Sequence, residues 1–158
     1  MSSFAATASQ RIPVAPEALP VAAWRTEVKV RFSHCDPAGI AYFASYFDLM
    51  NGVIEDWYPG ALGLDYHQFI RERVGLGYAH VQCDFLRPCL MGDRLTFTVI
   101  VERVGRASIE LRLHGHRGDE EAVRARLVIV TTSAIENRPI PVPPPLRDAV
   151  VRYQESCR

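Results

Sequence analysis

No apolar run in this chain approaches the length of a membrane-spanning helix; stretches such as Leu127 to Val130 are far too short. Neither sign of charge is in excess. Eighteen Lys and Arg balance eighteen Asp and Glu, so no overall electrostatic case exists for nucleic acid or an anionic membrane as partner. Cysteine is scarce and unpatterned: Cys35, Cys83, Cys89 and Cys157 form no CxxC. That distribution predicts reduced thiols in a cytoplasmic protein rather than a disulfide framework. No continuous apolar segment follows a basic start, so a secretory leader is not expected. Internal repeats are absent too. What is present is apolar content of 48% over 158 residues, enough for one domain with its own core.

The first 23 residues are rich in Ala, Ser and Pro and predict a flexible extension. A domain is expected over residues 24–136. Residues 137–158 begin as a proline-rich tail and end in a short helix from about Leu146. Within the domain, Trp24 to Phe32 alternates: Trp24, Thr26, Val28, Val30 and Phe32 face one way, Arg25, Glu27, Lys29 and Arg31 the other. That is the pattern of a half-buried strand. Tyr46, Met50, Val53 and Trp57 then recur at helical spacing, widened by Leu49 and Ile54. Ser45 followed by Asp48 resembles a capping arrangement, so the helix is expected to start near Phe43 to Ser45 and to end at Pro59-Gly60. Asp65 to Arg73 could add a second, short helix.

Four more strands follow. Tyr78 to Phe85 alternates Ala79, Val81, Cys83 and Phe85 against Tyr78, His80, Gln82 and Asp84. Leu95 to Val104, Ser108 to His116 and Ala122 to Thr132 complete the set, joined mostly by short turns. Short connections make antiparallel pairs, and one long amphipathic helix is available to cover one face. The fold class is therefore α+β, an antiparallel five-stranded sheet with a single main helix. A single helix does not cover a long sheet well, which leaves an edge or open face for a second copy of the chain.

Between the first strand and the helix lies Asp36-Pro37-Ala38-Gly39. Asp, Pro and Gly at these positions are the preferred chemistry of a type I turn. The aspartate also stands just before a helix start, where unpaired N–H groups attract negative charge. A carboxylate and backbone donors would then share one small space, as a nucleophile or base beside an oxyanion site requires. Spacing alone leaves both readings open.

The run "DPAGIAYFASY" resembles the signature of the 4-hydroxybenzoyl-CoA thioesterase family, whose members have the hotdog fold. "CDFLRPCLMGDRL", Cys83 to Leu95, is similar to a second motif of that family. The resemblance spans roughly residues 24–136 and implies a sheet curled round one long central helix. It implies an acyl-CoA thioesterase that hydrolyses an aryl- or acyl-CoA to free acid and CoA, with no metal or other cofactor. Asp36 falls on the family's catalytic carboxylate, as nucleophile or general base. The N–H of Phe43 falls on the backbone donor that polarises the thioester carbonyl, a kind of contact whose loss typically costs ~3 kcal/mol in barrier. Gly39, Tyr42 and Tyr46 fall against the substrate, while Arg106 and Ser108 match the hairpin used for CoA, where a guanidinium suits phosphates. A homodimer or homotetramer is implied, with sites formed where subunits meet.

His34, Phe43 and Asn51 depart from the family pattern, and these departures bear on substrate rather than reaction. Phe43 removes any side-chain acid or base at its position, which counts against the hydratase or dehydratase alternative. A non-catalytic acyl-CoA or acyl-carrier-protein binding protein is the other alternative. His114 and His116 share one strand face and are expected to be exposed sheet histidines. His80 is expected at an interface.

Overall fold

The computed structural model describes residues 12–158. Five long strands, β1 (Arg25–Lys29), β2 (Val74–Phe85), β3 (Arg94–Val104), β4 (Ser108–Arg117) and β5 (Glu120–Ser133), form one antiparallel sheet in the order β1-β3-β4-β5-β2. A two-residue strand, β6 (Arg138–Pro139), extends β5. The main helix, α1 (Ser45–Trp57), buries Tyr46, Leu49, Met50, Val53, Ile54 and Trp57 on one stripe. These meet the inward row of the sheet: Leu95, Phe97 and Val99 of β3, Ile109, Leu111 and Leu113 of β4, and Val123, Ala125, Leu127 and Ile129 of β5. The expected α+β architecture is present, with Asp48, Asn51, Glu55 and Asp56 left on the solvent side of α1.

Several boundaries differ from expectation, each for a local reason. The first strand stops at Lys29, because Val30 turns its N–H to Asp93 O (2.8 Å) and the chain enters a 3₁₀ turn at Phe32–His34. Val30 is fully buried but Phe32 is 81% exposed, so the alternation fails at its last step. Pro59-Gly60 does not end the helix. The chain widens into a π turn, Tyr58–Leu62, and stops on Gly63, whose φ of +66° suits glycine. A bulge at Ala79, between the pairs Tyr78↔Ile129 and His80↔Val128, moves Tyr78 to the helix side of β2. There its hydroxyl donates to Asn51 Oδ1 (3.1 Å), away from His80, Gln82 and Asp84. The short helix α2 (Tyr66–Arg71) forms as expected, capped by Asp65 Oδ1 on the N–H of His67.

The chain ends are stitched to the sheet. Helix α3 (Pro144–Ser156) is longer than expected, since prolines suit a helix's first turn. It buries Leu146, Ala149, Val150 and Tyr153 where β1 runs out along the edge of β3. Tyr153 Oη donates to Val99 O (2.6 Å) and accepts from the N–H of Trp24 (2.8 Å), and Gln154 Nε2 donates to Glu102 O (3.0 Å). Edge carbonyls are thus satisfied by side chains.

At the other end, residues 12–14, expected within a flexible extension, pack against the outer face of the sheet; residues 1–11 lie outside the described residues. The N–H of Val14 donates to Glu121 Oε2 (2.7 Å), His116 Nε2 donates to Val14 O (2.8 Å), and Arg124 donates to Ile12 O (2.8 Å). His114 and His116 are consequently 3% and 2% exposed, and the expectation of exposed sheet histidines does not hold. His114 Nδ1 donates to Glu121 Oε1 (2.6 Å), which also accepts from Arg124 Nε (2.8 Å). Burial pushes the imidazole of His114 below its ordinary value. Burial also pushes the Glu121 carboxyl up, but Arg124, the Val14 N–H and His114 together hold it below the usual range.

Both shifts have the same sign for stability. An unfolded histidine takes a proton near pH ~6.5 while His114 in the fold does not, so stability falls as pH drops below about 6.5. The depressed Glu121 contributes above its unfolded value of about 4.3 and loses that contribution as pH falls through its folded one. The midpoint of thermal unfolding is expected to fall between pH 7 and pH 5 (about two units around the histidine range). His114→Asn, whose amide N–H can replace Nδ1–H, should flatten that slope; calorimetry at a series of pH values checks it.

Candidate active site

The segment from Asp36 to Ala41 folds as a turn that its own aspartate completes. Gly39 N–H donates to Asp36 O (2.9 Å), and Asp36 Oδ1 accepts from the N–H groups of Ala38 (2.8 Å) and Ile40 (3.3 Å). Gly39 carries φ +75°, a conformation costly for residues with a Cβ. Oδ2 makes no hydrogen bond among the described residues and remains available to a ligand. The aspartate therefore makes the turn with one oxygen and leaves the other free, so the structural and chemical readings of Asp36 are compatible.

The second motif packs on this turn. The N–H of Ala41 donates to Cys89 O (2.8 Å), the N–H of Met91 donates to Gly39 O (3.1 Å), and Ile40 pairs with Leu90 as an antiparallel bridge. Two segments some fifty residues apart in sequence are thereby joined as a short ladder.

Helix α1 starts without the expected side-chain cap. Ala44 is the N-cap, and Ser45 is already helical. The N–H groups of Ser45, Tyr46 and Phe47 bond back to Tyr42, Phe43 and Ala44 O at 2.9, 3.3 and 3.2 Å. Those of Phe43 and Ala44 find no acceptor among the described residues. They are backbone donors at the positive end of a 13-residue helix.

Beside them opens a cleft of about 380 Å³ lined by Ile40, Ala41, Phe43, Tyr46, Phe85, Leu86, Arg87 and Pro88. Its walls are mostly apolar and aromatic, with the Tyr46 and Phe85 rings 5.3 Å apart. Burial, and then Cys89, push the Tyr46 hydroxyl upward, so it stays protonated. Arg87 is the one cation of this wall. Phe43 and Phe85 are 56% and 47% exposed, an unusual display for phenylalanine.

Of the residues singled out in sequence, Phe43 and Tyr46 line this cleft, and Asp36 and Gly39 lie in the turn that leads into its wall at Ile40. Tyr42 packs edge-on against Phe43 at 4.8 Å but is not part of the wall. Arg106 and Ser108 are elsewhere. Ser108 pairs with Val130 at one end of β4, whereas the cleft adjoins the other end, where Ala122 O accepts the N–H groups of both Leu86 and Arg87. At the rise of a strand the separation along β4 is roughly 25 Å. Phe85 to Pro88 were missed as wall residues; the signal was the Arg87-Pro88 break, which read only as the end of a strand. All four cysteines are free thiols, and Cys89 is buried behind the wall.

An antiparallel sheet curled about one helix, with a carboxylate-bearing turn beside that helix's open start, is the hotdog fold of acyl-thioester enzymes. The Thioesterase-like superfamily profile matches residues 30–150. The chain belongs to that superfamily. It is similar to a 1,4-dihydroxy-2-naphthoyl-CoA hydrolase of Acaryochloris marina, 27% identical over 128 residues that cover 78% of this chain and 93% of the relative. A solved structure from Pseudomonas aeruginosa superposes with a TM-score of 0.79 at 21% identity, over 93% of this chain and all of that one. A 1,4-dihydroxy-2-naphthoyl-CoA thioesterase from Synechocystis superposes with a TM-score of 0.72 at 21% identity, over 81% and 95% of the two chains. These two likenesses concern the fold.

The two roles of Asp36 are separable by substitution. Asp36→Asn keeps the Oδ1 acceptor and should leave thermal stability nearly unchanged. Asp36→Ala leaves the Ala38 and Ile40 N–H groups unpaired and should cost about 1–2 kcal/mol, read from denaturant unfolding.

Proposed function

We propose that this chain hydrolyses an aryl-CoA thioester whose ring bears a hydroxyl group, with Asp36 as nucleophile or general base. Superfamily membership and the named hydrolase relatives make the chain a CoA thioester hydrolase. The observation that carries the finer reading is an apolar, aromatic-lined cleft with Phe43, whose N–H is unpaired, in its wall, and the Asp36 turn, whose second oxygen is free, leading into that wall through Ile40 and Ala41. The Phe43 N–H, with that of Ala44, is suited to the oxygen that gains charge as the thioester carbonyl is attacked. Tyr46, Phe43 and Phe85 offer ring faces to an aromatic acyl group. The sequence relatives named for a dihydroxynaphthoyl substrate support the same class.

Release of CoA thiol from a panel of aryl-CoA and aliphatic acyl-CoA esters tests this. Hydroxylated aryl-CoA should be the best substrate, and Asp36→Asn should lower kcat by ~10²-fold or more while remaining folded. Equal turnover by both proteins would return Asp36 to a turn residue. Binding of acyl-CoA without turnover by the parent protein would favour the binding-protein alternative.

The distance between the cleft and Arg106 supports a site shared by two copies. Among the described residues β2 pairs only with β5, and its twelve-residue outer edge carries unpaired backbone groups with Tyr78, Val81 and Phe85 at 39%, 36% and 47% exposure. Two-fold pairing of these edges sets the Phe85 end of one copy beside the Gly77 end of the other. Gly77 pairs with Val130, and Val130 with Ser108. Arg106 and Ser108 of the second copy then lie three strands over from the first copy's β2, roughly 14 Å across the sheet. There Arg106, which is exposed, would meet the CoA phosphates. Mixing Asp36→Asn with Arg106→Ala after dissociation should regenerate about a quarter of the parent's intact sites, one per mixed dimer. Assays at low substrate read this as activity above either variant alone; no gain would place both residues in one chain's site.

A further inference from the structure

Arg117 belongs to neither motif, yet its guanidinium closes the turn that bears on the site. It stands at the end of β4. Its Nη1 donates to Pro88 O (3.2 Å) and to Asp93 Oδ2 (3.0 Å), the two ends of the Pro88–Asp93 turn, and its Nη2 reaches Glu120 Oε2 (3.0 Å). Asp93 Oδ2 also accepts from the N–H of Leu90 (2.8 Å), and the Asp93 N–H returns to Leu90 O (3.0 Å). The same turn is tied to Val30 by Gly92 N–H to Val30 O (2.8 Å) and Val30 N–H to Asp93 O (2.8 Å). Asp93 and Arg117 are 24% and 34% exposed in their side chains, so water only partly screens the pair. The Leu90 N–H first, and Arg117 after it, hold the Asp93 carboxyl below the usual range, which keeps it an acceptor throughout the neutral range.

Between the two ends that Arg117 ties lie Cys89 and Met91. Cys89 O receives the N–H of Ala41, two residues before Phe43, and the Met91 N–H holds Gly39 O within the Asp36 turn. Pro88 itself lines the cleft. Every covalent route from Asp36 to Phe43 passes through residues held by this turn.

We propose that Arg117, acting through Asp93 and Pro88, is a positioning residue that fixes the carboxylate of Asp36 relative to the N–H of Phe43. It touches neither substrate nor reacting atoms. Its effect falls on how well the two catalytic groups are aligned when the carbonyl is attacked, and alignment of this kind governs kcat more than ground-state binding. The proposal rests on the thioester-hydrolase reading of the cleft.

Steady-state kinetics and amide hydrogen exchange of Arg117→Met, Arg117→Lys and Glu120→Gln test it together. Arg117→Met is expected to lower kcat for the best aryl-CoA by about tenfold or more with KM changed less than about threefold. Arg117→Lys, which can reach one of the two acceptors, should recover part of the loss. Glu120→Gln, which touches the guanidinium but not the turn, should leave kcat within about twofold. Exchange at the Ala41 and Met91 amides should quicken about tenfold in Arg117→Met, with the amides of Val99 and Leu111 unmoved. A kcat for Arg117→Met within twofold of the parent overturns the proposal, as does exchange that quickens uniformly over the sheet. If the parent hydrolyses no thioester, the functional reading fails by itself. The exchange pattern then decides the positional claim alone: selective loss of protection at Ala41 and Met91 upholds it, and unchanged protection overturns it.

Discussion

The backbone ladder between two turns is the constraint on which this molecule's candidate chemistry depends. Asp36-Pro37-Ala38-Gly39 alone would be an exposed turn between a strand and a helix, with several accessible geometries. Ala41 N–H on Cys89 O, and Met91 N–H on Gly39 O, remove that freedom. The ladder also explains why two distant motifs travel together: the Arg87-to-Asp93 stretch ends β2, walls the cleft and receives the turn. Each hydrogen bond is worth only about 1 kcal/mol net, so rigidity comes from their number and from the anchoring of the second turn on Val30, Asp93 and β4.

Behind the cleft wall stands the β4–β5 hairpin, and its stiffness has a different source. Ala122 O accepts the N–H groups of Leu86 and Arg87 on one side. The preceding residue, Glu121, is a carboxylate with no exposed side-chain surface, held by Arg124, His114 and the N–H of Val14. A buried carboxylate is tolerable only when fully paired, and here part of the pairing comes from the strap of residues 12–14. The strap is bound through its backbone, by both the N–H and C=O of Val14, which makes its attachment insensitive to the side chains it carries. Chain ends that composition alone would leave loose are thereby recruited to support the sheet: the strap at the cleft end, and α3 along the uncovered edge of β3.

Periodicity made the broad architecture legible. The stripe from Tyr46 to Trp57 and the alternation of β3 and β4 each report the face that meets the core, and each is realised. Legibility failed where a backbone feature carries no periodic signal. The bulge at Ala79 reverses the facing of Tyr78 while the sequence continues to alternate. The π turn lets the chain pass Pro59, because the helix was already widening where the proline lacks its N–H. His114 and His116 alternate correctly to the outer face, but no local pattern announces that residues 12–14 cover it. For the candidate site, the resemblance located Asp36, Gly39, Phe43 and Tyr46, all short-range parts of one turn and helix start. Arg117 and the Phe85-to-Pro88 wall are reached only through pairing across the sheet. Arg106 and Ser108 sit on the expected hairpin, yet far from the cleft within one chain, a separation that no reading of a single chain's spacing reveals.

The missing cap on α1 ties stability to chemistry. Ser45 followed by Asp48 looked like a cap, yet the N-cap is Ala44, a poor residue for that position by about 1 kcal/mol relative to serine or aspartate. A serine or aspartate at Ala44 would place an acceptor at the N–H groups of Tyr46 and Phe47, which already bond back to Phe43 O and Ala44 O. The Phe43 N–H and the positive end of the helix are left without an acceptor among the described residues, as the proposed mechanism requires. On that proposal phenylalanine suffices at position 43, since only its backbone N–H would be drawn on while its ring lines the cleft. An unsatisfied helix start, an exposed aromatic wall and an open strand edge are each a cost to one chain in isolation. On the proposed function each would be met by what binds: an aromatic thioester in the cleft and a second copy along β2.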